Sequence, residues 1–314
     1  MSQQPPATPD TADPSRFWTK LGAEHERVLA EHGVESVKRR QALRYFTWRW
    51  RPKTILRSEQ LRFLLRNSSP QTWAAVLREP IAIDDELWEG TAFSPAERRL
   101  TVIATRLLWA YAERHGSPAV LGLEEPELGA PLPVHWRGRL ISQDLANSAL
   151  EAAAIGRALD GRAPQRIVEI GAGYGRTAYS LLSAYPQSSY TIIDIEPART
   201  ISQWYLSHLF EPGRLRFISP LEAEELAAGS FDLGVSISSL QEMTPEQVAT
   251  YLRLLDRTTG GGTVFLKQWE TWRNPDDDVE LRFADYPFPQ RWQRVLDETA
   301  LVQTRFVQAG WRVP

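Results

Sequence analysis

The chain of 314 residues has an ordinary globular composition, with 42% hydrophobic and 24% charged residues, so it has enough apolar side chains to bury a core. Its formal net charge of -3 does not favour a nucleic-acid-binding or membrane-surface protein. The absence of cysteine excludes disulfides, thiolate metal sites and cysteine nucleophiles, and it fits a reducing compartment.

The first residues of the chain, 1–15, are rich in Pro, Gln, Thr and Asp and lack the basic start and apolar stretch of a signal peptide. We therefore expect a disordered lead-in. No apolar run in the sequence approaches the roughly 20 residues that a membrane span requires, so no membrane partner is expected. Together these features favour a cytoplasmic protein.

Residues 16–116 show the spacing of apolar side chains that is typical of helices. The first predicted helix carries Phe17 on its apolar face and ends at Gly33. Ser94 and Glu97 form the pattern of a capping box, with proline at the first helical position between them. Further helices are predicted at 60–66 and 70–78, and a long one from Pro95 to Gly116.

Residues 117–134 form the most probable boundary in the chain, because Ser-Pro and Gly-Ala-Pro-Leu-Pro bracket a Glu-rich stretch there. We predict a helical cap or interface domain at 16–134, with 117–134 as its linker, and a second domain at 135–314. A helix at 142–159 leads into that second domain. Its predicted strands are 166–170, 190–194, 215–218, 231–237 and 263–267.

These strands alternate with helices, and three of them contain the continuous apolar runs of strands that are buried on both faces. Alternating strands and helices predict a doubly wound, mostly parallel sheet. The predicted fold class is therefore α/β and Rossmann-like, with an N-terminal all-helical domain.

A glycine-rich turn, Gly171 to Gly175, lies between the first of these strands and the next helix. Glycines suit a sharp turn whose backbone must approach a ligand. A dinucleotide fingerprint would have the spacing Gly-x-Gly-x-x-Gly, whereas this turn has Gly-x-Gly-x-Gly and follows Glu169. An acid beside a pyrophosphate would be repelled, but beside the cationic sulfonium and amino groups of S-adenosylmethionine it is favoured.

A second acid, Asp194, ends the next predicted strand, where its carboxylate can accept hydrogen bonds from both ribose hydroxyls. The alternative is a tight turn followed by a solvated aspartate. The turn and the two acids together favour S-adenosylmethionine as the cofactor. The predicted cofactor-binding residues are Glu169, Gly171, Ala172, Gly173, Tyr174, Asp194, Ile195, Leu221 and Ser238.

The loop after the fourth strand should lie near the transferred methyl group, since ligands of open α/β sheets bind where the strand order reverses. Thr244 and Gln247 are predicted to cap the following helix, and Met243 is predicted to pack against it. Glu242 is a candidate general base for a hydroxyl group, with Gln241 beside it. Alternatively, Glu242 is an exposed acid that is favoured by the helix dipole.

Several segments resemble the sugar O-methyltransferase family of bacterial secondary metabolism, across about residues 138–314. The resemblance implies a Rossmann-like sheet of seven strands and S-adenosylmethionine as the methyl donor. It also implies a deoxysugar or glycosylated small molecule as acceptor, as in antibiotic biosynthesis, but it fixes no catalytic base. The similar segments are 141–145, 168–176, 194–198, 201–206, 238–243 and 266–269.

Lys267, Trp269 and Trp272 lie at or just beyond the end of the fifth strand and are predicted to contact the acceptor, because aromatic rings can stack on a sugar. Alternatively, they fill the edge of the core. His135, next to a tryptophan before the helix at 142–159, is a second candidate base. The acids at 276–278 could bind a divalent cation, but such a loop is usually solvated, and we predict no metal.

Basic and aromatic residues alternate in the segment 39–53. This pattern can bind nucleic acid or an anionic acceptor such as a nucleotide-linked sugar. Because the overall charge is negative, the favoured interpretation is an amphipathic helix at a dimer or domain interface. We therefore predict no nucleic-acid partner and a homodimer that forms through the helical domain.

The favoured hypothesis is O-methylation of a small-molecule acceptor, with the hydroxyl held in line with the methyl group. A second hypothesis keeps methyl transfer but changes the acceptor to a carboxylate, a nitrogen or a phosphonate oxygen. A third is a cofactor-binding module without catalysis, whose helical half recruits a partner.

Overall fold

The structure is a computed structural model that describes residues 14–276 and 278–314. The predicted disordered lead-in therefore lies outside the described residues, except for Pro14 and Ser15. The hydroxyl of Ser15 accepts a hydrogen bond from the backbone N–H of Trp18 and so caps the first helix. Among the described residues, no helix has both the length and the apolarity needed to cross a bilayer.

The N-terminal half is helical, as expected from the sequence. Ser94 and Glu97 form the predicted capping box, in which each side chain bonds the other's backbone N–H. The first helix ends one residue before Gly33, which has a φ of 71°. The helices of this half are α1 (Arg16–His32), α2 (Glu59–Asn67), α3 (Pro70–Arg78), α4 (Pro95–His115) and the single turn α5 (Pro118–Leu121).

The C-terminal half alternates strands and helices. A two-stranded hairpin, β1 (His135–Trp136) and β2 (Arg139–Leu140), precedes it, and a second hairpin lies near its end. The elements are α6 (Gln143–Leu159), β3 (Arg166–Ile170), α7 (Arg176–Ala184), β4 (Ser189–Ile193), α8 (Ala198–Ser207), β5 (Leu215–Ile218), β6 (Leu233–Ile237), α9 (Pro245–Thr258), β7 (Thr263–Trp269), β8 (Thr271–Asn274), β9 (Val279–Arg282), β10 (Gln293–Thr299) and β11 (Phe306–Arg312).

Seven of these strands form one sheet in the order β10-β11-β7-β6-β3-β4-β5. Strands β7, β6, β3, β4 and β5 run parallel to one another. Strand β11 runs antiparallel to its two neighbours, β7 and β10. The Rossmann-like seven-stranded fold that was predicted is confirmed. The chain fills the sheet from β3 towards β5 and then returns to β6 on the other side of β3. The strand order therefore reverses between β3 and β6, where a ligand crevice is expected.

The apolar core consists of two clusters of buried side chains. The larger cluster joins the N-terminal helices to α6, α7 and α8 and to residues of β3 and β4, such as Ile167 and Ile192. The smaller one packs α9 against side chains such as Val168, Val264 and Trp311. Successive residues of a strand point to opposite faces, which explains why Ile167 and Val168 belong to different clusters. The two halves of the chain thus share one continuous core.

The segment 39–53 differs from the predicted amphipathic helix. It forms a 3₁₀ helix at Gln41–Phe46 and then continues without regular structure. Two nearby tryptophans in this segment donate hydrogen bonds to different parts of the chain. The backbone N–H of Trp48 donates to Asp144 over 2.6 Å, whereas the indole N–H of Trp50 donates to Thr105 over 3.0 Å. The segment therefore packs between the two halves of the chain, and tertiary contacts replace the hydrogen bonds of a helix.

A cluster of buried charges connects the elements around the start of α7. Glu151 on α6 accepts hydrogen bonds from Arg176 over 2.5 and 3.2 Å and from Lys267 on β7 over 2.6 Å. The side chain of Glu151 is only 2% exposed. Burial alone would raise the pKa of Glu151, but the two cations outweigh this effect and lower it. One carboxylate thus compensates two buried positive charges.

Replacing Glu151 with Gln should therefore be strongly destabilising, because it leaves Arg176 and Lys267 buried without a counter-ion. We expect a loss of about 3–5 kcal/mol in the free energy of unfolding, measured by urea denaturation. Arg157→Gln on the same helix is the control, since it breaks only the exposed ion pair with Glu298 and should cost less than about 1 kcal/mol. Equal small losses for both variants would contradict this account.

Candidate active site

A large pocket opens where the strand order reverses. The space between its lining residues, counted together with the open mouth, is about 1370 Å³. Eleven of the residues predicted from the sequence line it, so the structure brings most of the predicted site together. These are Glu169, Gly171, Ala172, Gly173, Asp194, Ile195, Ser238, Gln241, Glu242, Trp269 and Trp272.

The glycine-rich turn after β3 lies against this pocket in a backbone conformation that residues with a side chain rarely adopt. Gly171 has a φ of 75°, and a Cβ atom there would lie 2.0 Å from the hydroxyl oxygen of Ser239. Gly173 has a φ of 61°, and its backbone N–H donates to the Asp194 carboxylate over 3.2 Å. The turn can thus approach a ligand closely, and it also positions the acid at the end of β4.

Two acids lie beside this turn, of which Glu169 is buried and Asp194 is half-buried. Burial raises the pKa of Glu169 on β3 to about 8, although the hydroxyl of Tyr190 donates to it over 2.9 Å. Burial also raises the pKa of Asp194 to about 7, against the effect of backbone N–H donors that include that of Ile195. Neither carboxylate forms an ion pair with any described residue. A cationic ligand at this end of the pocket would therefore be stabilised by both acids.

The loop after β6 is held in a strained conformation. Ser238 has a φ of 59°, which is unusual for a residue other than glycine. The side-chain amide of Gln241 donates to the Ser238 hydroxyl over 2.9 Å and accepts from the backbone N–H of Trp269 over 2.7 Å. The amide of Gln241 is thus occupied by protein partners, which gives this residue a positioning contact rather than a free group in the pocket.

Glu242 follows in the same loop and is buried, with only 4% of its surface exposed. Its two carboxylate oxygens accept hydrogen bonds from the indole N–H of Trp18 over 3.1 Å and from the hydroxyl of Tyr45 over 2.9 Å. Burial raises the pKa of Glu242 to about 8 in spite of these donors. The exposed acid considered as an alternative in the sequence is therefore not what the structure shows.

The N-terminal half supplies one side of the pocket, which we call the N-terminal wall. Sequence analysis assigned none of its members individually, although the basic and aromatic segment 39–53 was considered for an anionic acceptor. The alternation of basic and aromatic residues was the available signal for this wall. The sequence of an irregular segment, however, does not indicate to which side each side chain points. The wall consists of Pro14, Ser15, Trp18, Arg44, Tyr45, Phe46, Thr47, Trp48 and Arg51.

Aromatic rings connect this wall to the end of the sheet. The Trp48 ring lies 5.3 Å from that of Phe306, which lies 5.1 Å from Trp269, and Trp269 lies 5.3 Å from Trp272. Beneath the Trp48 ring lie the buried cations Arg176 and Lys267, each 5.6 Å from the ring centroid. The pocket therefore has an extended aromatic surface beside the end of β7.

The structure places Tyr174 and Lys267 outside the pocket lining, unlike the sequence-based prediction. Tyr174 is buried beneath the glycine-rich turn, where its hydroxyl donates to Asp144 over 3.0 Å. Lys267 was predicted to end its strand, but β7 continues to Trp269. Its ammonium group therefore points from the middle of the sheet towards Glu151 on α6 and belongs to the buried charge cluster.

Leu221 and His135 also lie outside the pocket lining. Leu221 is 64% exposed on the turn after β5. His135 lies in the small hairpin β1–β2. Its side chain is exposed, and its carbonyl accepts a hydrogen bond from Arg106 of α4 over 2.8 Å. The hairpin packs against the N-terminal helices, so the predicted folding of His135 over the pocket does not occur.

The acidic loop considered for a metal has other partners. Asp276 pairs with Lys20 of α1 over 2.8 Å, and Asp278 pairs with Arg273 of β8 over 2.8 Å, while Asp277 lies outside the described residues. No group of three or more His, Asp or Glu side chains within 14–276 and 278–314 has an arrangement suited to a metal ion.

The raised pKa of Glu242 predicts a pH-dependent stability of the unliganded protein. An unfolded glutamate ionises near pH 4.3, whereas folded Glu242 keeps its proton to about pH 8. Stability from this group is therefore complete at low pH and is lost as the pH rises towards 8, by at most about 1.4 kcal/mol per pH unit. We expect Glu242→Gln to make the pH profile less steep in urea unfolding at several pH values, because it removes the share of this group while Glu169 and Asp194, whose pKa values are also raised, keep theirs.

The exposed Glu246→Gln variant on α9 serves as the control and should retain the wild-type pH profile. Parallel profiles for wild type and Glu242→Gln between pH 5 and 8 would contradict the buried, proton-retaining state of this carboxyl group.

Comparisons with known proteins give a local similarity to a methyltransferase. No family model matches the chain. A stretch of 152 residues is 32% identical to the malonyl-(acyl-carrier protein) O-methyltransferase of Paenibacillus sp. (strain JDR-2), and it covers 46% of this chain and 51% of the relative. The chain thus spans about half the length of this curated relative.

Solved structures with partial similarity include two N-methyltransferases. One is the 1,6-didemethyltoxoflavin-N1-methyltransferase of Burkholderia thailandensis, with a TM-score of 0.41, 19% identity, and coverage of 53% of this chain and 76% of that one. NodS of Bradyrhizobium japonicum WM9 has a TM-score of 0.41, 16% identity, and coverage of 52% and 93%. TM-scores below 0.5 carry no argument about function. The strand order itself gives the chain a Rossmann-like fold, and the sugar O-methyltransferase family stays a prediction.

Proposed function

We propose that the protein is an S-adenosylmethionine-dependent O-methyltransferase that acts on a hydroxyl group of a sugar or glycosylated small molecule. One observation carries this proposal. A single pocket is lined by the glycine-rich turn with Asp194, which we call the cofactor end, and by the buried Glu242 with Trp269 and Trp272, which we call the acceptor end. The arrangement suits one ligand with a cationic centre and a second ligand with a polar ring.

The residues at the first end fit S-adenosylmethionine. Gly171 and Gly173 both have a positive φ and line the pocket, so the turn presents main-chain groups to the ligand. Asp194 would bind the ribose hydroxyls, and Glu169 lies where its charge favours the sulfonium and amino groups. When bound, S-adenosylmethionine supplies an electrophilic methyl group. Its positive charge would also favour the ionised forms of both acids.

Glu242 would then act as the general base. Its carboxylate lines the pocket, and its raised pKa makes it a stronger proton acceptor than an exposed glutamate. Trp18 and Tyr45 hold both oxygens in place, which leaves a lone pair for the acceptor hydroxyl. Removing the proton makes the hydroxyl oxygen a better nucleophile for displacement.

The aromatic surface supports a ring-shaped acceptor. Trp269 and Trp272 line the pocket beyond the end of β7, and an indole can stack on the apolar face of a sugar while leaving its hydroxyls free. The same rings would exclude water from the reacting groups. A homodimer that forms through the helical half stays a separate prediction.

A second candidate is methyl transfer to a carboxylate oxygen. The local similarity to an O-methyltransferase that is named for a malonyl group favours it. A carboxylate needs no general base, and an ionised Glu242 would repel it. The two candidates therefore differ in their dependence on Glu242.

Asp194→Asn tests the cofactor end of the pocket. We expect the affinity for S-adenosylhomocysteine, measured by calorimetry, to fall by about 10- to 100-fold, because a charged acceptor of two hydrogen bonds is lost. Asp297→Asn, an exposed aspartate on β10, is the control and should bind as the wild type does. Unchanged affinity in Asp194→Asn would exclude this carboxylate from the cofactor site.

Glu242→Gln tests the proposed base. We expect turnover of a hydroxyl acceptor, measured as S-adenosylhomocysteine release across a panel of glycosylated compounds, to fall by about 10²- to 10⁴-fold. The affinity for S-adenosylhomocysteine should stay unchanged. Undiminished turnover of a hydroxyl acceptor would exclude Glu242 as the base. Turnover of carboxylate compounds in place of hydroxyl compounds would favour the second candidate, and cofactor binding without turnover on any acceptor would favour the non-catalytic module.

A further inference from the structure

Two arginines of the N-terminal wall have no acidic partner. Arg44 and Arg51 line the pocket, both are exposed, and neither forms an ion pair with a described residue. Arg176, the third arginine of the lining, is by contrast buried and paired with Glu151. The positive charges of Arg44 and Arg51 are therefore available to a ligand.

The surrounding sequence strengthens this positive charge. Residues 39–66 contain nine arginines and lysines and a single acid, Glu59, in a protein with a net charge of -3. None of the nine side chains forms an ion pair with a described residue, and Glu59 pairs with Arg305 instead. Such a local excess of one charge attracts an anion towards the pocket mouth.

Both arginines belong to the same segment of the wall as Tyr45. Arg44 is the chain neighbour of Tyr45, and Arg51 lines the pocket together with it. Tyr45 in turn donates to Glu242. The two acids at the cofactor end, Glu169 and Asp194, adjoin the glycine-rich turn instead.

We infer that Arg44 and Arg51 bind a phosphoryl group of the acceptor, so that the acceptor is a phosphorylated or nucleoside-diphosphate-linked sugar. This inference rests on the proposed function. Two guanidinium groups match the double negative charge of a phosphoryl group, and each can present paired N–H donors to its oxygens. The aromatic surface next to the wall would hold the sugar ring while the arginines fix the anionic end.

The test is a calorimetric titration of the full-length protein, saturated with S-adenosylhomocysteine, against three probes. Uridine diphosphate represents the nucleotide part of a nucleotide-linked sugar, and glucose 1-phosphate represents a simple sugar phosphate. Methyl glucoside is the neutral reference. Arg44→Gln and Arg51→Gln remove the two pocket charges. Arg57→Gln removes an exposed charge of the same basic segment that does not line the pocket, and it serves as the matched control.

We expect at least one phosphorylated probe to bind the wild type. Arg51→Gln and Arg44→Gln should each weaken its binding by about tenfold or more, whereas Arg57→Gln should change it by less than about twofold. Methyl glucoside should bind all four proteins alike. Tighter binding of uridine diphosphate than of glucose 1-phosphate would indicate a nucleotide-linked acceptor, and the reverse order a simple sugar phosphate.

Three results would overturn the inference. The first is binding of neither phosphorylated probe, and the second is equal weakening by Arg57→Gln, which would assign the effect to the general surface charge. The third is weaker binding of S-adenosylhomocysteine itself in Arg51→Gln or Arg44→Gln, which would place the arginines at the cofactor. In each case methyl transfer can still stand, whereas failure of the wild type to bind S-adenosylhomocysteine would remove the proposed function as well.

Discussion

The buried charge cluster around Glu151 is the constraint on which the pocket depends. This carboxylate on α6 fixes Arg176 at the start of α7, immediately after the glycine-rich turn, and Lys267 on β7. The Trp48 ring of the N-terminal wall covers both cations, and its backbone N–H donates to Asp144 near the same cluster. Charges that are removed from water must be compensated locally, so α6, α7, β7 and the wall cannot move independently.

The pocket is consequently a joint product of the two halves of the chain. The sheet contributes the turn and the two acids that suit a cationic cofactor, and the N-terminal wall contributes aromatic rings and arginines. Glu242 lies at the boundary between them. It belongs to the loop after β6, but its carboxylate is held by Trp18 and Tyr45 from the other half.

Local patterns in the sequence predicted the sheet and the cofactor end of the site. The alternation of strands and helices, the positive-φ glycines and the capping residues of α4 and α9 act over a few residues, and the structure has each of these features. The surroundings of Glu242 were not predictable in this way, because its partners lie about two hundred residues earlier in the chain.

Two further differences have equally specific causes. Lys267 was predicted to be the last residue of its strand because the length of β7 was underestimated by two residues, so its contact with α6 was missed. The segment 39–53 has the composition of an amphipathic helix. After Phe46, however, it is irregular and is stabilised by side chains that are distant in the sequence, such as Asp144. Propensity gives way to tertiary contacts there.

The N-terminal wall is largely an irregular segment laid over a regular sheet, and this separation bears on how the protein could diverge. The side chains of Arg44 and Arg51 are exposed and form no ion pair with a described residue, so exchanging them leaves the scaffold intact. The turn and the acids, in contrast, are fixed by the geometry of β3 and β4. Descendants of one ancestral sequence could thus acquire new acceptors by substitutions in the N-terminal wall while the glycine-rich turn and the acids stay unchanged.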